Sequence, residues 1–227
     1  MKVMFIVTGA EYTWLSEATH PYWHLAENGV HVDFFTPKGG KVIWDPASDP
    51  FAVGSREPND LVTKGFMSDE LLMGKLATTS PVKDAVLDGY DAVHVVGGLG
   101  AVYDLYPNED VARALEHFWE RDQVVGAICH GVIALANNPA RIRGRKATGY
   151  SVEEDREVEK LYKLKIPQLP QSTLEAAGVE FRAARPHHSC VVRDRKLVTG
   201  QNQFSASDYG LVFYYALIGR NPVSIFE

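Results

Sequence analysis

The chain has 227 residues, 45% of them apolar and 23% charged, a composition that suits a soluble globular fold with a sizeable buried core. A formal net charge of −6 with no basic face argues against a nucleic-acid partner, because phosphate binding needs clustered cations. Two cysteines, Cys129 and Cys190, exclude a disulfide framework, and no run approaches the ~18 apolar residues of a membrane helix, so a cytoplasmic protein is expected.

Strand-like and helical runs alternate along the chain, which predicts an α/β fold: a doubly wound, mostly parallel sheet with helices on both faces. Val3–Val7 is a continuous apolar run, as a strand buried on both faces requires, and the segment Met1–Ala10 reads as this strand rather than as a leader. Ser16–Asn28 has a helical pattern closed by Gly29, and Val32–Phe35 is the second strand. Residues 39–80 are irregular, with a short strand expected at Lys41–Trp44 and turn chemistry at Asp45-Pro46-Ala47-Ser48-Asp49-Pro50. We read them as an insertion in one domain spanning 1–227, since they lack the apolar periodicity for a core of their own.

Asp91–Val96 is a further strand, running into the turn Gly97-Gly98-Leu99-Gly100, and a helix over Glu109–Arg121 leads to the strand Val124–Ile128. Beyond it, Ala147–Gly149 reads as a strand end, Val152–Lys165 as a charged surface helix, and Leu174–Ala177 as a helix end closed by Gly178. Val179–Arg182, Cys190–Arg193 and Lys196–Thr199 are short strands, the last two joined by the turn Asp194-Arg195, before a final helix over Ser205–Ile218.

Val124-Val125-Gly126-Ala127-Ile128-Cys129-His130-Gly131 places a cysteine on an abrupt small-residue turn between a strand and a helix. That layout is a nucleophile elbow. Backbone N–H groups and the positive end of the following helix favour thiolate over thiol, whereas a structural cysteine would be a small buried hydrophobe. His130 supplies an imidazole for acid–base work, which needs an acidic residue to fix its tautomer. Gly98 and the backbone N–H of His130 are the candidate oxyanion donors, because glycine lets the chain approach a reacting carbonyl. His20 with His24, and His187 with His188, lack a third ligand at metal-site spacing, so no metal is expected.

Ala127-Ile128-Cys129-His130-Gly131 resembles the elbow of the ThiJ/PfpI superfamily, whose fold is flavodoxin-like and similar to a class I glutamine amidotransferase domain. Ser16-Glu17-Ala18-Thr19-His20-Pro21-Tyr22, Val42-Ile43-Trp44-Asp45-Pro46, Gly98-Leu99-Gly100 with Tyr103-Asp104 and Pro107, and Thr199-Gly200-Gln201-Asn202 with Ser205 resemble its glutathione-independent glyoxalase (heat-shock chaperone) branch. Two positions depart from that pattern: Leu99 stands where the branch has histidine, and Val132 where it has proline.

The resemblance implies that Glu17 is the acidic partner of Cys129, that Glu154 or Asp155 orients His130, and that Gly98, Leu99 and Gly100 form the substrate turn. It implies cofactor-free conversion of a 2-oxoaldehyde such as methylglyoxal to a 2-hydroxy acid through a Cys129 hemithioacetal, by a protein that forms a homodimer. Hydrolysis by the same thiol, as amidase, peptidase or deglycase, is the alternative chemistry, and a holdase chaperone or thiol stress sensor is the alternative of another class. Leu99 makes the pocket less polar than the branch pattern and shifts substrate identity.

Overall fold

The structure is a computed structural model that describes residues 1–220. In chain order the strands are β1 (Lys2–Ile6), β2 (His31–Thr36), β3 (Ser80–Pro81), β4 (Ala92–Val95), β5 (Val124–Ile128), β6 (Lys146–Ala147), β7 (Glu180–Phe181), β8 (Val191–Asp194) and β9 (Leu197–Gly200). The helices are α1 (Ser16–Ala26), α2 (Leu61–Met67), α3 (Glu70–Ala77), α4 (Ala101–Asp104), α5 (Glu109–Glu120), α6 (Pro139–Ile142), α7 (Val152–Tyr162), α8 (Pro170–Ala176) and α9 (Ala206–Leu217).

Seven strands form one sheet in the order β3-β2-β1-β4-β5-β9-β8, every pair parallel except β8 with β9. Period-two alternation explains why β1 is apolar throughout. Val3, Phe5 and Val7 face the layer that holds Leu25 of α1 and Phe213 of α9, while Met4 and Ile6 face Val111, Leu115 and Phe118 of α5. All of them are fully buried, as a doubly wound sheet demands. The chain leaves β1 toward β2 on one side and later returns to β4 on the other. That reversal opens a crevice at the carboxyl ends of β1 and β4, where α/β sheets bind ligands.

Several details differ from the sequence reading. Lys41–Trp44 is not a strand: Trp44 makes a single parallel bridge to Thr13, and residues 39–80 instead contain α2 and α3, capped by the Asp60 and Asp69 side chains. Phe66, Leu72 and Leu76 from that segment join the core that contains Val3 and Phe5. Ser80–Pro81 adds an edge strand that no alternation announced. The turn after Cys129 continues as a 3-10 helix over Cys129–Asn137 rather than an α-helix, and β6 pairs with β7 in a separate two-stranded sheet.

Candidate active site

The loops after β1, β4 and β5 converge on Cys129. Its φ of +56° is a left-handed conformation that a side chain adopts at a cost of about 1–3 kcal/mol, and it holds the thiol at the crest of the turn. Gly131 packs under that crest, where a Cβ would lie 2.6 Å from the Val96 carbonyl oxygen. Gly98 has φ +101° and would bring a Cβ within 2.2 Å of the Tyr12 oxygen, so only glycine closes this turn. The backbone N–H groups of Gly98 and His130 both act on the sulfur and draw its pKa down, which gives the predicted oxyanion donors a common focus.

His130 Nδ1 is 3.4 Å from the Cys129 sulfur, and His130 Nε2 donates to Asp155 Oδ1 at 2.8 Å. A carboxylate only accepts, so the proton belongs on Nε2, and Nδ1 is free to take one from the thiol. Tyr150 stacks on the imidazole with ring centroids 4.2 Å apart, fixing its plane. Of the two carboxylates suggested for this role, Asp155 meets His130 and Glu154 does not. Glu154 instead accepts from Ser151 N and Oγ, His187 N, Gln201 Nε2 and Asn202 Nδ2, closing a capping box at the start of α7. Those donors consume its lone pairs and tie three segments together.

Glu17 is fully buried on the other flank of the thiol, and neither carboxyl oxygen completes a hydrogen bond. Burial pushes its carboxyl well above the usual range, with Cys129 pulling back and Glu57 and Glu154 adding to the rise. That shift favours the protonated carboxyl over the carboxylate. Burial also pushes the Cys129 thiol up, against the sequence expectation of a ready thiolate; the nearby Glu17 carboxyl adds to the rise. Both shifts run toward the protonated forms, thiol and carboxylic acid. His130 Nδ1 is the basic atom within reach of the thiol proton.

The placement of Glu17 traces to two residues that sequence reasoning missed. Pro21 lies inside α1 and has no N–H, so it leaves the Glu17 carbonyl, four residues earlier, without its helical partner. His94 of β4 fills that vacancy: Nε2 donates to the Glu17 oxygen at 3.0 Å, while Nδ1 accepts from the Tyr209 hydroxyl at 2.7 Å. Burial lowers the His94 pKa to about 3, so it acts as a neutral strut. Gly97 is the second omission. A Cβ there would fall 2.3 Å from Glu17 Oε2 and 2.7 Å from Cys129 Cβ, so the carboxyl and the thiol meet only across a glycine. The doubled glycine at the end of β4 was the available signal.

Leu99 lines the cavity above the sulfur, with Trp14, Tyr150, Val158 and Gln203. Gly100 does not; it packs on the Glu11 oxygen and Thr8 and serves the chain turn. The cavity is tight, leaving the centre of a water-sized guest about 30 Å³ in which to move. An open cleft of about 620 Å³ by the same measure lies outside it and shares Arg56, Tyr150 and Val158 as walls. Glu57 joins the 39–80 segment to this site by accepting from Trp14 Nε1 at 3.0 Å and Ser16 Oγ at 3.1 Å. Partial burial pushes its pKa up to about 7. His20 is held by Asp60 at 3.0 Å and His187 by Glu157 at 2.7 Å, and among the described residues no metal-ligand cluster forms.

Comparison with known proteins agrees with this geometry at the level of fold. The glutamine amidotransferase-like class 1 domain-containing protein 1 of Bos taurus is 35% identical over 138 residues, covering 57% of this chain and 61% of that protein. The chain thus spans about three fifths of that relative's length. A glutathione-independent glyoxalase of Schizosaccharomyces pombe is 25% identical over 202 residues, 84% of this chain and 82% of the relative. Among solved structures, the Rapid Encystment Protein 24 KDa of Francisella tularensis superposes with a TM-score of 0.85 at 28% identity, covering 96% of this chain and 99% of that one. Glyoxalase III from Candida albicans shares the fold, with a TM-score of 0.79 at 21% identity over 95% of this chain and 97% of that one. Residues 1–214 match the DJ-1/PfpI family, and the protein belongs to it.

Proposed function

We propose that the protein is a glutathione-independent, glyoxalase-type enzyme that converts a 2-oxoaldehyde such as methylglyoxal to the 2-hydroxy acid, lactate in that case, with Cys129 as nucleophile. The observation that carries this reading is a buried thiol flanked by two separate proton carriers, the buried Glu17 carboxyl and the His130–Asp155 pair, in a cavity sized for a few heavy atoms. Relatives and a fold neighbour bearing glyoxalase names support it.

The chemistry follows from those positions. His130 Nδ1 takes the thiol proton as sulfur adds to the aldehyde carbon, and Glu17 gives its proton to the aldehyde oxygen, forming the hemithioacetal. Glu17, now a carboxylate, removes the hydrogen from that carbon, and His130 protonates the neighbouring carbonyl oxygen, giving an enediol. Glu17 then returns its proton to the second carbon while His130 takes one from the first hydroxyl, leaving a thioester. Water attacks the thioester, giving its hydroxyl to carbon and its proton to Glu17. The thiolate leaves and recovers its proton from His130, and the product acid ionises into solvent. The N–H groups of Gly98 and His130 offer charge stabilisation beside the sulfur throughout.

The test is lactate formation without added thiol. Cys129→Ser should lose activity at least about a thousandfold, and Glu17→Gln, which cannot carry a proton, about 10²–10⁴-fold. Lactate formed at the wild-type rate by Cys129→Ser would refute the mechanism. The open outer cleft favours one second reading, deglycation of larger carbonyl adducts, which a Staphylococcus aureus relative named protein/nucleic acid deglycase also suggests.

A further inference from the structure

Arg56 is the cation common to the inner cavity and the outer cleft. Its backbone N–H bonds the Ala47 oxygen, which fixes where the side chain starts, and the residue is exposed. Its guanidinium forms no ion pair among the described residues, and of the arginines it is the one that lines both the inner cavity and the outer cleft. The acid in the cavity wall, Asp45, is already engaged, by Ala47 N at 2.8 Å and the Tyr162 hydroxyl at 3.1 Å. Lys160 adds a second cation to the cleft, and the one acid there, Glu157, is taken by His187 at 2.7 Å.

The mouth of the nucleophile cavity therefore carries unspent positive charge on a protein whose net charge is −6. Methylglyoxal has nothing to give it. A guanidinium offers paired donors matched to a carboxylate or a phosphate, and at the rim of an apolar pocket it orients a substrate by its far end. Leu99, Trp14 and Val158 would cover the carbon chain between the two ends.

We propose that the substrate is a 2-oxoaldehyde carrying a carboxylate or phosphate at the end remote from the aldehyde, and that Arg56, assisted by Lys160, is the residue that selects it. This rests on the glyoxalase reading of Cys129. The two sources of negative charge share one recognition chemistry and are separated by experiment.

The measurement is kcat/KM for 4,5-dioxopentanoate, for 2-oxo-3-phosphooxypropanal and for 2-oxopentanal, an uncharged compound of the same chain length as the first. The expected wild-type preference for an anionic substrate over 2-oxopentanal is about tenfold or more, equivalent to about 1.4 kcal/mol. The ratio should collapse toward one in Arg56→Ala, fall less in Lys160→Ala, and be partly kept in Arg56→Lys, which retains charge without the fork. Which anion is favoured identifies carboxylate or phosphate. Turnover of 2-oxopentanal with no anionic preference, or a preference untouched by Arg56→Ala, overturns the proposal and leaves the glyoxalase reading intact. If no oxoaldehyde is turned over, that reading fails, and the subsite is judged by protection of Cys129 from iodoacetamide. Succinate or inorganic phosphate should slow alkylation in wild type but not in Arg56→Ala; equal protection in both proteins overturns the subsite.

Discussion

Replacing Glu57 with glutamine should stabilise the protein near neutral pH and leave it little changed in acid. The Glu57 carboxyl titrates near pH 7 in the folded chain against 4.5 for a free glutamate, because burial outweighs the help it gets from Ser16 Oγ and Trp14 Nε1. Below about pH 4.5 both states hold the proton and the group costs nothing. Between that pH and about 7 the unfolded chain releases its proton and the folded chain does not, so stability falls as pH rises. Above the folded pKa the penalty levels off at about 3 kcal/mol, an upper figure for a group that keeps some contact with water. Glutamine preserves the shape: its oxygen can accept from Trp14 and its amide can donate to Ser16 Oγ. Urea unfolding of both proteins at about pH 4 and about pH 8 isolates the effect, since every other titrating group cancels in the difference. The variant should gain about 1–3 kcal/mol at the higher pH and less than about 0.5 at the lower. A gap that is the same at both values, or a variant less stable at the higher pH, would refute the reasoning.

Further expectations concern the thiol's surroundings. Asp155→Asn should lower kcat/KM by about 10²–10⁴ because His130 loses the acceptor that fixes its proton on Nε2, with a small change in Tm. Glu154→Gln should behave in the opposite way, lowering stability by at least about 2 kcal/mol in urea titrations because its amide group faces donors on every side. Equal kinetic losses in the two variants would contradict the assignment of Asp155 as the sole orienting acid. Gly97→Ala should abolish turnover, since its Cβ would stand 2.3 Å from Glu17 Oε2, and Cys129 alkylation rates should change with it.

The sheet was legible because its chemistry is local. An unbroken run at Val3–Val7 admits little besides a strand covered on both sides, and Gly126, Ala127 and Gly131 around Cys129 spell a tight turn that the structure contains. The helices α2 and α3 escaped notice because each spans about two turns, too short for periodicity to rise above noise. Their caps Asp60 and Asp69 were the readable clue. Lys41–Trp44 misled for a converse reason: β-favouring residues form a strand only where a neighbour offers its edge, and here Trp44 alone finds one.

Within the site, Cys129, His130 and the Gly98 turn could be read from spacing, but Glu17 could not. A glutamate in the first turn of a helix is ordinarily a response to the helix dipole, and only the family resemblance marked it. The choice between Glu154 and Asp155 was decidable from the sequence. Ser151 with glutamate three residues on is the signature of a capping box, which commits Glu154 to the helix end and leaves Asp155 for the histidine. His94 had no such signal. Its role depends on Pro21 having freed one carbonyl across a packed interface, a relation between residues 73 positions apart that no local pattern carries.

The most direct test of the account follows wild-type protein supplied with excess methylglyoxal and no added thiol, with samples quenched in acid, freed of methylglyoxal and then treated with hydroxylamine to reveal an acyl intermediate. We expect many equivalents of lactate per protein, one for each methylglyoxal consumed, and lactohydroxamate in the treated samples as the mark of a thioester on Cys129. Consumption that stops at one methylglyoxal per Cys129, with neither lactate nor hydroxamate formed, would contradict it and leave a reactive thiol without turnover.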